Sequence, residues 1–233
     1  MKNKINYLAI IIFYSIAIFC RYLSNKTGLL NDLSSDFLKV LLTGVGPAIG
    51  AFFVFVVFRI KPVLSLKGNY KHIAYPLFLY FVFPVLLIAG TSYFLKGVFP
   101  FETVTAILLY GLLEEIGWRG FLRQELKPLP KFLNVGVVAT LWFAWHLNFD
   151  FSTGNVVFFG ILLLGSWGIG QVADSTTSLL AVAAFHSLNN FFTKMGNVEV
   201  ALLLVLLSVW ILLLIYRKRK GAISLKGGSP TIV

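Results

Sequence analysis

Along the chain, apolar runs of about twenty residues alternate with short polar breaks, for example 7–19, 73–95 and 198–215. A helix rises 1.5 Å per residue, so about twenty apolar residues span the roughly 30 Å of hydrocarbon in a bilayer. Marking every such stretch predicts helices near 5–22, 38–58, 73–95, 101–126, 132–151, 154–173, 177–193 and 197–216. The expected fold class is all-α, a polytopic membrane bundle of about eight transmembrane helices. It forms a single domain over 1–216 and is followed by a basic tail over 217–233. The seventh stretch is the least apolar. Ser178, His186, Ser187, Asn189, Asn190 and Thr193 interrupt it, so it has to face protein or water and not lipid.

Composition removes the soluble alternative. The chain is 58% hydrophobic and 12% charged, whereas soluble domains carry about 25% charged residues. The net charge of +11 does not form a basic face with interleaved aromatics, which argues against nucleic acid as a partner. It describes topology instead. With eight spans both termini share a side, and all but five of the 20 Lys and Arg share it too, the exceptions being Arg21, Lys26, Lys39, Lys96 and Lys194. The positive-inside rule then places both termini and the loops at 59–72 and 127–131 in the cytoplasm, with the chain integral to the cytoplasmic membrane.

The single cysteine, Cys20, excludes an intrachain disulfide and a cysteine-rich metal site. Bulky Ile18 and Phe19 before it argue against a lipoprotein signal, and no small-residue cleavage site follows the first apolar run, which reads as a retained helix. Gly44, Gly46, Pro47 and Gly50 in the second stretch, and Gly160, Gly165, Gly168 and Gly170 in the sixth, let helix backbones approach closely or form a hinge or lateral gate.

Of nine acids, most lie in loops or at span ends, but Glu114 and Glu115 sit well inside the fourth stretch. A charge at such depth costs about 2.5–3.5 kcal/mol on insertion scales, a cost seldom kept without a use. Glu115 and Arg119, four apart, share a helix face and can pair, which lessens the cost of burying both. Glu114 points about 100° away and is left for other work. His146 and His186 fall at comparable depth in the fifth and seventh stretches, and Asn190 shares the face of His186. His72, beside Lys71, reads as solvated or headgroup-facing. A carboxylate and two imidazoles can activate water for amide hydrolysis, with Asn190 donating to an oxyanion. The same Glu114, His146 and His186 are also the ligand set of many catalytic zinc sites, in which Glu115 would serve as base. The residues leave both routes open.

Glu114-Glu115-x-x-x-Arg119, a histidine preceded by aromatics at His146, and His186-x-x-x-Asn190, in this order on three helices, resemble the CPBP family of intramembrane proteases. This family is also known as the CAAX-protease, bacteriocin-processing or Abi family. The resemblance covers roughly residues 100 to 195. It implies an eight-helix fold whose site opens toward the cytoplasm, with Glu114, His146 and His186 activating water, Asn190 stabilising the oxyanion, and Glu115 and Arg119 as supports. The expected partner is a peptide or protein substrate in the lipid bilayer, cleaved in bacteriocin maturation or self-immunity. One departure stands out. The family's second motif is F-x-x-x-H, but Trp142 occupies the position four before His146, which predicts a change of pocket shape more than of chemistry. No H-E-x-x-H or G-x-S-G motif is present, and Gly168-Ile169-Gly170 is followed by Gln171 where an aspartyl enzyme needs Asp.

Two other classes compete with the protease. A non-catalytic scaffold or immunity protein would bind its partner through the same polar cavity, and a small transporter would use the buried Glu and His as a proton relay. The absence of an internal repeat counts against the transporter. Oligomeric state is not encoded in any of these features.

Overall fold

A computed structural model describes residues 4–69, 73–150, 152–191 and 196–226; His72, Thr193 and Lys194 lie outside them. The described residues form eight helical segments. They are α1 (Tyr7–Lys26), α2 (Asp36–Val57), α3 (Ala74–Lys96), α4 (101–125), α5 (Lys131–Trp145), α6 (Thr153–Thr176), α7 (Leu179–Phe191) and α8 (Asn197–Lys226). The chain is an all-α membrane helical bundle. It divides into two units, Met1–Phe191 with α1 to α7 and Phe192–Val233 with α8. In the second unit the helix continues past the expected end of its span to Lys226.

Local sequence explains the boundaries. Asn6 and Ser35 accept the backbone N–H groups of Ala9 and Leu38, and Ser152 accepts that of Asn155, so α1, α2 and α6 each begin on a side-chain cap. Two helices contain a π-turn that periodicity does not announce. In α3 it covers Phe78–Val82 and closes with Phe83 N–H on Phe78 O, just before Pro84, which has no N–H to give. In α4 it covers Trp118–Leu122, directly after the glutamate pair.

The fifth helix ends at Trp145, short of the expected 151. The His146 ring takes the Trp142 carbonyl at 2.8 Å, the acceptor that the His146 N–H would use in an α-helix. That N–H turns to Phe143 O at 3.0 Å, and Leu147 then goes left-handed at φ 56. The side chain of His146 thus stops its own helix.

Among the described residues, five helices are long and apolar enough to cross a membrane, namely α1, α2, α3, α6 and the 197–220 part of α8. The three that fall short, α4, α5 and α7, are the one with the glutamates, the one that ends against His146 and the one with His186. In the first unit, polar contacts gather one set of helix ends. Asn6 N–H donates to Glu125 Oε1 at 2.7 Å, Ser65 exchanges backbone bonds with Thr177 and Leu179, and Arg123 pairs with Asp174 at 2.7 Å. The start of α1, the loop before α3, the end of α4 and the α6–α7 turn therefore lie together, as the alternation of seven helices requires.

In α2 the small residues serve close packing. A Cβ on Gly117 of α4 would stand 2.5 Å from Pro47 Cβ, and one on Gly46 would stand 2.8 Å from the Ala17 carbonyl of α1. In α6 the glycines divide, since a Cβ on Gly160 or Gly168 would meet nothing within 4 Å, whereas one on Gly170 would stand 2.8 Å from Arg123 Nε.

Candidate active site

The site is built where α4, α5, α6 and α7 face one another. Gly111 makes the α4–α7 approach possible, because a Cβ there would stand 2.4 Å from Ser187 Oγ. Ser187 in turn donates to Ile107 O at 3.1 Å. This closeness brings the glutamate pair of α4 against His186 of α7. Glu114, Glu115 and Arg119 are each no more than 1% exposed.

Glu115 does more than pair with Arg119. Its Oε1 accepts Arg119 Nη1 at 2.6 Å and also lies 2.6 Å from His186 Nδ1. Because a paired carboxylate can only accept, Nδ1 has the proton and Nε2 of His186 turns away from Glu115. His186 Nε2 lies 3.9 Å from Glu114 Oε2. The same logic fixes His146, whose Nδ1 must donate to the Trp142 carbonyl, leaving its Nε2 unspent.

Trp142 corrects the expectation that the altered second motif changes shape more than chemistry. Its indole N–H donates to Glu114 Oε2 at 2.8 Å, and that of Trp118 donates to the same oxygen at 3.2 Å. The Trp142 ring also lies 4.5 Å beneath the Arg119 guanidinium carbon and 5.0 Å from the His186 ring. Two indoles hold one oxygen of the carboxylate. The other, Oε1, is buried and takes neither indole.

A cavity of about 220 Å³ is lined by Glu114, His146, His186 and Asn190, together with Tyr110, Trp142, Phe158 and the α6 glycines Gly165 and Gly168. The four residues expected to do chemistry therefore share one chamber, while Glu115 and Arg119 stand behind its wall. The zinc arrangement fits less well. Among the described residues no three His, Cys, Asp or Glu gather closely enough to hold a metal ion, and Glu114 Oε2 is already occupied by the two indoles.

Sequence reasoning missed Arg21, which it counted among flanking cations. In α1, Ala9, Phe13, Ala17 and Arg21 form one buried stripe at four-residue spacing, a signal that was present in the sequence. Arg21 Nη1 donates to Thr43 O at 3.1 Å. That carbonyl is free because its helical partner would be the N–H that Pro47 lacks. The guanidinium also lies 4.3 Å over the Trp145 ring, and it interacts with Tyr110, which interacts with Glu114. Tyr110 is seated against α2 at Gly44, where a Cβ would stand 2.5 Å from its ring. A buried cation of the first helix is thus linked to the cavity wall through one phenol.

Residues 96–192, which contain every one of these site residues except Arg21, are similar to a known protein family. The matching family model is described as type II CAAX prenyl endopeptidase Rce1-like. No curated protein sequence matches the chain.

Proposed function

We propose that this chain is a protease that cleaves peptide bonds in small membrane-associated peptides or in protein C-terminal tails, using water activated by Glu114. The convergence of Glu114, His146, His186 and Asn190 on one cavity, with Glu114 Oε1 outside the grip of the two indoles, supports this reading above all. Oε1 is the oxygen free to take a proton from water. His146 Nε2, whose ring is held by an uncharged carbonyl, accepts the water's second hydrogen and orients its lone pair.

The water oxygen bonds to the scissile carbonyl carbon as its proton passes to Glu114, and the carbonyl electron pair moves onto oxygen. Asn190 Nδ2 donates to that oxyanion, and the His186 ring, held by Glu115, lines the same cavity. Collapse breaks the C–N bond. Glu114 returns its proton to the leaving amine, and the new acid releases its own to water. Phe158, Tyr110 and Trp142 give the cavity apolar walls suited to a hydrophobic side chain.

The setting proposed is the cytoplasmic membrane with both termini inside, in bacteriocin maturation or self-immunity. Support comes from the charge asymmetry and from the clustering of the N-terminus with the basic loops at one end. The test is cleavage of a prenylated peptide ending in a CAAX sequence, and of the same peptide unmodified, by protein in bilayers. Wild type should release the C-terminal fragment from at least one, and Glu114→Gln from neither. Full activity in Glu114→Gln would overturn the reading.

A further inference from the structure

A second polar cavity, of about 190 Å³, lies at the helix ends near the N-terminus, far along α4 from Glu114. Arg123, Lys127, Lys131, Asn134 and Asp174 line it. Asp174 is spent on Arg123, which it grips through both oxygens at 2.9 and 2.7 Å. Lys127 and Lys131 form no ion pair among the described residues, so the cavity keeps an excess of positive charge.

Two further features show what would fill it. The first turn of α5 begins at Pro130 without a side-chain cap, so its N–H groups and the positive end of the helix dipole are open beside Lys131. Independently, Asn134 is only 7% exposed, donates Nδ2 to Arg123 O at 3.0 Å, and buries Oδ1 with no partner. Cations and helix N–H groups ask for an anion, whereas a buried amide oxygen asks for a donor. An occupant with both is a phosphate ester with a hydroxyl. Beside the cavity, Phe132 is 86% and Leu133 51% exposed on the first turn of α5, an apolar surface continuous with the charged one. Phosphate next to acyl chain is the chemistry of an anionic phospholipid.

We propose that this cavity binds the phosphate of a glycerophosphate headgroup, with Lys127 and Lys131 on the phosphate, Asn134 Oδ1 accepting from a headgroup hydroxyl, and the acyl chains along Phe132 and Leu133. The proposal does not depend on the protease reading. A cationic loop that merely obeys the positive-inside rule would attract anionic lipid without selectivity for position, and that is the alternative to be separated.

The experiment is native mass spectrometry of the full chain released from nanodiscs of phosphatidylglycerol or phosphatidylcholine, with lipid retention counted. Wild type should retain phosphatidylglycerol in preference to phosphatidylcholine. Lys127→Gln/Lys131→Gln should lose retention, on the order of fivefold per lysine, whereas Lys218→Gln/Arg219→Gln, with the same loss of charge elsewhere, should keep it. Asn134→Leu should weaken phosphatidylglycerol without creating a preference for phosphatidylcholine. Competition by sn-glycerol 3-phosphate distinguishes sources: if it displaces the lipid, a soluble phosphate can also serve, and if it does not, the acyl chains are part of the ligand. Either result supports the site. Equal retention of both lipids, or equal losses in the two double variants, would overturn it.

Discussion

Trp142 Nε1 stands 2.8 Å from Glu114 Oε2, and this bond distinguishes the two oxygens of the glutamate. With Trp118 on the same atom, the carboxylate cannot rotate to exchange its oxygens without losing two donors. Trp142→Phe restores the aromatic of the family motif but removes the N–H. A hydrogen bond to a charged group is worth about 1.5–3 kcal/mol, and only part of that changes between ground and transition states. Cleavage by this variant should fall about tenfold with its helical circular dichroism unchanged. Wild-type turnover would show that the indole only fills space.

Glu114 and Glu115 are neighbours with opposite expectations. Glu114→Gln keeps an oxygen for the indoles, so the protein should retain its thermal stability in detergent and lose turnover. Glu115→Gln breaks a buried network that ties Arg119 to His186. Removing one partner of a buried pair costs about 3–5 kcal/mol, and a clear drop in unfolding temperature should accompany the loss of activity. Thermal scans of both variants in one detergent separate the two roles.

Arg21 and Pro47 make a linked prediction. Pro47→Ala supplies an N–H that competes for the Thr43 carbonyl, so it should loosen the Arg21 anchor even though the two side chains are on different helices. Arg21→Met should lower cleavage at least about tenfold, and Arg21→Lys should recover part of it by restoring charge without the planar fork. The paired variant Arg21→Met/Pro47→Ala should be no worse than Arg21→Met alone. Additive losses would show that the proline acts elsewhere.

Metal removal is the fourth test. The proposed route runs through water on Glu114 and two ring nitrogens, so cleavage should persist after dialysis against a chelator, and purified protein should hold zinc well below one ion per chain. Loss on chelation with recovery on zinc would move Glu114, His146 and His186 to the ligand role and demand a closer arrangement than the structure has.

The spans were legible because an apolar run long enough to cross hydrocarbon would be hard to keep soluble anywhere but in a membrane. Glu114 was legible for the converse reason, a charge kept where it is costly. What the chain did not disclose is what depends on neighbours distant in sequence. The Glu115–His186 bond joins residues 71 apart, and spacing on one helix suggests only the Arg119 pair. The π-turn at Trp118–Leu122 shifts register without leaving a mark in hydropathy. Arg21 was overlooked because a cation near a span end reads as an anchor, although its place in the Ala9, Phe13, Ala17 stripe shows that it faces protein.

The early end of α5 has a consequence for the membrane itself. Fifteen residues make a rod of about 22 Å, short of the roughly 30 Å of hydrocarbon. A bilayer meeting so short a rod thins around it or admits headgroups and water. His146 sits at that end. The lipid beside the cavity should therefore be dimpled and hydrated, so that the water which the proposed hydrolysis consumes reaches the chamber through a distorted patch of membrane.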